Sequence, residues 1–201
     1  MPIESDIHPH IPEERSHLFQ AADLCSSEEE TLELLFALVR STKPELILET
    51  GTWKGFATAA MAKACWKNGF GKVVTIDYDE SMRKALEERA AEVEYPFWQH
   101  VEFVHSHTLP YLYHYDGPSF GFAFLDSDPG SRVEELRMLR DKKLALGLVM
   151  VHDTSRHRAG SHPDDPGFPT RLDDLKIPSV ENWLSRGWRL FDLKWSPVIP
   201  S

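Results

Sequence analysis

The sequence LILETGTWKGFAT occupies residues 46–58 and joins three kinds of local pattern. An apolar run of strand length reaches Glu49, a turn with two glycines follows, and the next residues are apolar nearly all round. This pattern predicts a buried strand, a tight turn and a helix packed on a sheet. Gly51 and Gly55 fit positions where the backbone needs a positive φ or lies close to another group. The first N–H groups of the helix would then face whatever binds over the strand end.

Strand-like and helix-like segments alternate on both sides of this turn. A helix is predicted to begin at Ser27, with Glu30 completing a capping box, and to end near Thr42. Further strands are predicted at residues 72–77, 101–105, 119–126 and 146–153. Ser131 and Glu134 form the predicted capping box of the helix before the last of these strands. The alternation predicts a doubly wound, Rossmann-like α/β fold with a mostly parallel sheet and helices on both faces.

Two segments without any period flank this region, at residues 1–16 and 154–178. We interpret the first as an irregular N-terminal arm and the second, which contains four prolines, as a lid over the strand ends. Residues 188–195 alternate as a last strand, expected to be antiparallel. A chain of 201 residues with 41% apolar composition fits one domain spanning residues 1–201.

The composition disfavours several classes of function. A formal net charge of −10 argues against binding to nucleic acid or an anionic membrane, and favours a small-molecule or protein substrate. Two cysteines provide no disulfide framework, and no apolar run approaches membrane-spanning length. The first residues lack the features of a signal peptide, so the expected location is the reducing cytoplasm. The sequence leaves the oligomeric state open, a homodimer included.

Acidic residues end four of the predicted parallel strands, namely Glu49, Asp77, Asp126 and Asp153. Because the carboxyl ends of parallel strands share one edge of a sheet, these side chains should lie near one another. Asp77 is placed to accept both hydrogen bonds of a ribose diol. The acid and glycine spacing of residues 49–55 differs from the Gly-x-Gly-x-x-Gly fingerprint of dinucleotide binders. An acid at this strand tip instead suits a ligand that carries an ammonium or sulfonium charge.

This spacing resembles motif I of the class I S-adenosylmethionine-dependent methyltransferases, and the chain is most similar to their small-molecule, catechol-type O-methyltransferases. The resemblance implies SN2-type transfer of a methyl group from S-adenosylmethionine to an oxygen of a small molecule. It also implies cofactor contacts at Glu49, Gly51, Thr52, Gly55, Asp77, Ser106, His107 and Asp126. In that set Asp77 would hold the ribose, and Ser106 and His107 the adenine edge. The seventh, antiparallel strand usual in these enzymes has little room before Ser201.

The ends of the fourth and fifth strands also resemble the divalent-cation site of the catechol-type enzymes. The resemblance implies Asp126, Asp153 and Thr154 as ligands, with Mg²⁺ or a similar hard cation as the candidate. That family has asparagine where this chain has Thr154, and a lysine base after the first carboxylate that this chain lacks. His152 or a lid histidine is therefore the predicted proton acceptor, with Asp126 and Asp153 as its catalytic neighbours. A structural role for His152, orienting Asp153, is an equal alternative.

Two other functions compete with methyl transfer. The His152-Asp153-Thr154 tip also resembles the cephalosporin hydroxylase-like relatives of this fold, in which metal chemistry would come first. The missing lysine favours a non-catalytic, cofactor-binding regulatory or assembly protein. Tight transition-metal binding would indicate the former function, and cofactor binding without methyl transfer the latter.

Overall fold

The computed structural model of the protein describes residues 26–152. Its five strands are β1 (Leu46–Thr50), β2 (Lys72–Asp77), β3 (Val101–His105), β4 (Phe120–Leu125) and β5 (Ala145–Val151). Its five α-helices are α1 (Glu29–Thr42), α2 (Phe56–Asn68), α3 (Met82–Glu92), α4 (Thr108–His114) and α5 (Pro129–Asp141), and a 3₁₀ turn spans Phe97–Gln99. The strands described form one parallel sheet in the order β3-β2-β1-β4-β5. The predicted Rossmann-like α/β fold is confirmed.

Helices cover both faces of this sheet. On one face α1, α2 and α3 pack over a core that includes Ile47 and Phe122. On the other face α4 and α5 pack over a core that includes Leu48 and Ala123. Each large apolar side chain buried in this way stabilises the fold by about 1.5–3 kcal/mol. The two cores therefore fix the strands, and with them the loops that follow their carboxyl ends.

The strand order places β1 between β2 and β4. From β1 the chain proceeds outward through β2 and β3, and it then returns to the other side of β1 to form β4 and β5. Thr50, the last residue of β1, is in register with Ile76 on one side and Leu125 on the other. Ligands of open α/β sheets bind outside the carboxyl ends of the strands at such a reversal of strand order. The crevice beside β1 is therefore the place to look for a site.

Both predicted capping boxes are wrong. α1 begins at Glu29 with Glu28 as its N-cap, and the Ser27 hydroxyl donates to Asp126 Oδ2 at 3.3 Å instead. α5 begins at Pro129, which places Ser131 inside the first turn of the helix. Proline is favoured at the first helical position, because the missing N–H would have no helical partner there. A tertiary partner in one case, and the proline in the other, decided where the helices begin.

The remaining boundaries agree with the sequence except at α4. α1 ends at Thr42 as predicted, and Lys43 follows in the left-handed region with its N–H bonded to the carbonyl of Val39. α4 was not predicted, because seven residues with Pro110 in the first turn are too few to show a helical period.

Several predictions concern residues outside the described part of the chain. These are the arm at residues 1–16, the lid at 154–178 and the antiparallel strand at 188–195. The assignment of the whole chain to one domain therefore stays a prediction. Of the helices in residues 26–152, none has the length and apolar character needed to span a membrane.

Candidate functional site

The predicted site residues that the structure describes gather at the carboxyl edge of the sheet. Glu49 and Thr50 end β1, Asp77 ends β2, and Asp126 and His152 directly follow β4 and β5. Backbone hydrogen bonds tie these ends together, because the N–H of Asp126 donates to the carbonyl of Thr50 at 2.9 Å. The edge is thus one continuous surface built from four neighbouring strands.

Gly51 is required in the turn after β1 for two separate reasons. Its φ of +85° lies in the region that side chains disfavour, and a Cβ added to it would stand 2.4 Å from the carbonyl oxygen of Asp126. Its N–H donates to the carbonyl of Ile76 at 2.9 Å. The turn is therefore held against the ends of both β2 and β4.

Gly55 closes the same turn and begins α2. Its φ is +74°, and a Cβ here would stand 2.7 Å from Leu86 Cδ2 of α3. The predicted positive φ is confirmed for both glycines. The close neighbour of Gly55 is a helix rather than the space over the strand ends, so its direct effect is on the packing of α2 against α3.

Hydrogen bonds fix the Asp77 side chain to the glycine turn. Its Oδ2 accepts the N–H of Thr52 at 2.9 Å and the N–H of Trp53 at 3.3 Å, while Oδ1 accepts the N–H of Asp79 at 3.0 Å. The Thr52 side chain is buried and shares a 2.7 Å hydrogen bond with the hydroxyl of Thr75. Each carboxylate oxygen has two lone-pair directions, so Asp77 keeps capacity to accept further hydrogen bonds. It is a fixed acceptor at the junction of β1 and β2.

Ser106 and His107 lie beside Asp77, on the loop after β3. The N–H of Ser106 donates to the Asp77 carbonyl at 2.9 Å, and its hydroxyl donates to the carbonyl of His107. The exposed His107 ring is stacked parallel to the Tyr78 ring, with a centroid separation of 5.4 Å and an interplanar angle of 5°. This pair presents a flat aromatic surface next to Asp77.

Glu49 is fully buried on the α2 side of β1. The hydroxyl of Thr58 donates to its Oε2 at 2.5 Å, while no donor among the described residues reaches Oε1. Burial, with smaller contributions from the Asp126 and Asp77 carboxylates, raises the pKa of Glu49 to about 8. Thr58, in the first turn of α2, is thus the partner of a buried acid. Glu49 is therefore a proton-holding side chain, and its Oε1 is a buried oxygen without a hydrogen-bond partner among the described residues.

Replacing Glu49 by glutamine should change how stability depends on pH. The pKa of Glu49 is about 8 in the folded protein and 4.5 ordinarily, so the folded state binds this proton more tightly than the unfolded state. The stability that the proton provides is fully present below pH 4.5 and is lost as the pH rises toward 8. The Glu49→Gln protein has no such proton to lose, so this loss of stability is absent from it. Between the two pKa values, the difference in free energy of unfolding between Glu49→Gln and wild type should therefore shift in favour of Glu49→Gln by up to about 1.4 kcal/mol per pH unit.

Urea unfolding at a series of pH values between the two pKa values measures this difference. Glu45→Gln, at an exposed position just before β1, is the control for losing a surface carboxylate. Parallel pH profiles for wild type and Glu49→Gln would contradict a raised pKa at Glu49.

Asp126 is paired with a buried arginine that the sequence reasoning missed. Its Oδ1 accepts from Arg132 Nη2 at 3.0 Å, and the guanidinium also donates to the carbonyls of Ser127 at 2.6 Å and His152 at 2.8 Å. The Arg132 side chain is 4% exposed. The resemblance implied a divalent cation at Asp126, and in the structure Arg132 of α5 supplies a positive charge there.

His152 bridges two carboxylates through its two ring nitrogens. Nδ1 lies 3.0 Å from Asp126 Oδ1, and Nε2 lies 3.1 Å from Oε2 of Glu28, the N-cap of α1. A neutral imidazole has one N–H, so only the doubly protonated ring donates in both contacts. The residues immediately before α1 thus close over the ends of β4 and β5, where Ser27 also contacts Asp126.

The described side chains around Asp126 do not fit a divalent cation. Both of its oxygens already accept from protein donors, and residues 26–152 contain no group of three or more His, Cys, Asp or Glu side chains that could hold a metal ion. The other predicted ligands, Asp153 and Thr154, and the lid histidines lie outside the described residues. The Mg²⁺ site stays a prediction.

A helical pattern in the sequence contained a signal for the missed residues of α5. Arg132, Glu135, Leu136 and Leu139 are spaced as one face of a helix, and all four are buried. Two charged residues on a buried stripe require partners. Ser27 and Glu28 offered no such signal, because their partners lie 99 and 124 residues away.

Comparison with known proteins adds a family match. A family model described as a methyltransferase domain matches residues 48–154. No curated protein matches the chain. The fold is similar to the S-adenosylhomocysteine-bound Podospora anserina methyltransferase PaMTH1, at 19% identity over 77% of this chain and 70% of that one, with a TM-score of 0.63.

Two solved O-methyltransferases are similar to about the same degree. One is TomG from Streptomyces achromogenes in complex with S-adenosylmethionine, at 22% identity over 82% and 71% of the two chains, with a TM-score of 0.61. The other is a Bacillus cereus O-methyltransferase in complex with S-adenosylhomocysteine, at 20% identity over 76% and 71%, with a TM-score of 0.63. At these identities the structures establish a common fold.

Proposed function

Because the chain belongs to the methyltransferase domain family, we propose that it transfers a methyl group from S-adenosylmethionine to an oxygen atom of a small molecule. The observation that carries this proposal is the connection between Asp77 and the glycine turn, in which one carboxylate oxygen accepts the N–H groups of Thr52 and Trp53. These hydrogen bonds join the carboxylate that would hold the ribose to the glycine turn, so that the two form one rigid unit. The cofactors named for the PaMTH1, TomG and Bacillus cereus structures support this choice.

The residues at the edge of the sheet fit such a cofactor. Gly51 leaves no room for a Cβ between the turn and β4, so the backbone itself forms the floor beside β1. The Glu49 side chain has a buried oxygen, Oε1, without a hydrogen-bond partner among the described residues, and an ammonium or sulfonium charge bound beside it would favour the ionised carboxylate. When bound, S-adenosylmethionine supplies an electrophilic methyl group on its sulfonium.

We assign the site residues as the sequence predicted. Glu49, Gly51, Thr52 and Gly55 would hold the methionine end, Asp77 the ribose, Ser106 and His107 the adenine edge, and Asp126 the region between cofactor and acceptor. The role of Gly55 would be indirect, since its near neighbour is Leu86. In this assignment the protein acts chiefly by aligning two reactants and placing charge around them.

Proton transfer in this proposal is assigned to His152, with Asp126 orienting it. With the Nδ1 proton donated to Asp126, a neutral ring leaves Nε2 unprotonated, and Nε2 would take the proton of the acceptor hydroxyl once the substrate replaces its contact with Glu28. Arg132 fixes the position of Asp126, because its buried guanidinium donates to the Asp126 carboxylate at 3.0 Å. Asp153 is proposed as a further catalytic neighbour on sequence grounds alone.

Titration calorimetry with S-adenosylmethionine and S-adenosylhomocysteine, with and without Mg²⁺, tests the proposal. Wild type should bind both, and Asp77→Ala should bind about 30- to 100-fold more weakly, because two hydrogen bonds to a charged acceptor are lost. Asp116→Ala, at an exposed position before β4, should bind as wild type does. Folded wild-type protein that binds neither compound would overturn the proposed function.

Two further arms separate the competing functions. Heats that depend on Mg²⁺ and disappear in Asp126→Asn would support the predicted cation. Binding without transfer to any hydroxylated acceptor would favour the regulatory alternative instead.

A further inference from the structure

A second buried acid, Glu135, lies beneath the site on α5 and has 0% relative exposure. Three hydroxyl groups donate to its carboxylate. Thr50 Oγ1 reaches Oε2 at 2.9 Å and Ser127 Oγ reaches Oε1 at 2.6 Å, while Thr108 Oγ1 also donates to Oε1. Arg132, one helical turn earlier, faces the same cluster and is a neighbouring positive charge. The carboxylate is therefore fully engaged without contact with the space over the strand ends.

Each hydroxyl lies in, or directly beside, a different loop of the proposed cofactor site. Thr50 directly precedes Gly51 of the glycine turn, Thr108 directly follows the Ser106-His107 pair, and Ser127 directly follows Asp126. These three loops come from separate strands, β1, β3 and β4, which are not all adjacent in the sheet. One side chain of α5 thus connects all three from below.

We propose that Glu135 is a positioning residue, which holds the three loops in the arrangement that binds S-adenosylmethionine. This inference rests on the proposed function and assigns the affinity for the cofactor partly to a residue that does not touch it. A loop tied by a hydrogen bond before binding loses less conformational freedom on binding, so the tie increases affinity.

A purely structural role accounts poorly for this acid. Holding α5 on the sheet needs only an apolar side chain of similar size, such as its neighbours Leu136 and Leu139. Burial of a carboxylate carries a desolvation cost, which is why burial raises the pKa of Glu135 against the opposing effect of its hydroxyl partners. What the acid adds is direction, because hydrogen bonds fix where each hydroxyl, and the loop behind it, must lie.

The test compares Glu135→Ala and Glu135→Gln with Leu139→Ala, a fully buried position near the end of the same helix that takes no part in the hydroxyl cluster. Calorimetric affinity for S-adenosylmethionine and S-adenosylhomocysteine is measured together with the thermal midpoint of each protein. Glu135→Ala should bind about tenfold more weakly than Leu139→Ala at a comparable loss of thermal stability. Glu135→Gln keeps one acceptor oxygen and should lose less. Equal affinity of Glu135→Ala and Leu139→Ala would overturn the proposal.

Hydrogen exchange of the same proteins without cofactor separates this inference from the proposed function. Glu135→Ala should speed amide exchange in all three loops together, around Thr50, Thr108 and Ser127, whereas Leu139→Ala should not. If this occurs while wild type binds no cofactor, the loops are tied as proposed but the function is wrong. If exchange in the loops is unchanged while wild type binds, the function stands and the positioning role is wrong.

Single hydroxyl variants keep the proposal testable if Glu135→Ala does not fold. Thr108→Val and Ser127→Ala each remove one donor and leave the carboxylate two partners. Each should speed exchange in its own loop and weaken cofactor binding by less than Glu135→Ala would. A variant that loosens its loop without changing affinity would separate the hydrogen bond from cofactor binding and overturn the positioning role.

Discussion

Replacing Gly51 by alanine is expected to destabilise the fold by about 3–5 kcal/mol and to remove cofactor binding. Two costs add at this position. A side chain at a φ of +85° is strained, and the new Cβ would stand 2.4 Å from the backbone carbonyl oxygen of Asp126. Backbone cannot rotate aside as the end of a side chain can, so β1 and β4 would have to separate or the turn would have to rebuild.

Gly69→Ala is a matched control for this variant. Gly69 has nearly the same φ, +80°, but a Cβ there meets nothing within 4 Å. It should therefore show only the backbone cost, about 1 kcal/mol. Urea unfolding gives both free energies, and calorimetry on the folded fraction gives cofactor binding. If Gly51→Ala is no less stable than Gly69→Ala, the close approach of the turn to β4 does not require glycine at position 51.

Replacing His152 is expected to reduce methyl transfer far more than cofactor binding. As the proposed base, its loss should lower kcat by about 10²- to 10⁴-fold. The affinity for S-adenosylmethionine should stay within about threefold of wild type, because His152 follows β5 and the proposed cofactor contacts lie mainly on β1 and β2. Transfer of labelled methyl groups to a panel of hydroxylated aromatic acceptors measures the first quantity, and calorimetry the second.

Two variants of His152 distinguish the base from an orienting role. Alanine removes every contact, whereas asparagine can still donate to Asp126 from nearly the position of Nδ1 but cannot accept a proton from a hydroxyl at working pH. Both should be equally impaired if His152 is the base. Recovery of most of the activity in His152→Asn would instead make the residue an orienting partner of Asp126. His114→Ala, at an exposed position at the end of α4, is the control.

The sheet and the outline of the site were predictable because the signals for them are local. Apolar runs that end in Glu49, Asp77 and Asp126 identify both the strands and the edge where they finish. The positive φ of Gly51 follows from the identity of the residue and the length of the turn. These predictions needed only residues within a few positions of one another.

What the sequence did not reveal depends on contacts between distant residues. Glu135 and Thr50 are 85 residues apart, so only the assembled sheet shows that they meet. A cation was expected at Asp126 from the resemblance to the catechol-type cation site, but Arg132 reaches this carboxylate from the first turn of α5. Ser27 was assigned to a cap by its local pattern, yet it contacts Asp126. In each case a tertiary partner took precedence over a local preference.

The order in which the chain can build this site follows from the approach of Gly51 to Asp126. Once β2 is made, the chain contains both the turn that follows β1 and its hydrogen-bond partner Asp77. On its other side, however, the turn packs against the end of β4. During synthesis, a ribosome must therefore release residues well beyond Asp77 before the turn can acquire its final shape. Such distant pairings form slowly, since the intervening chain must first be brought together. A newly made chain would thus complete the glycine turn only after β4 pairs with β1.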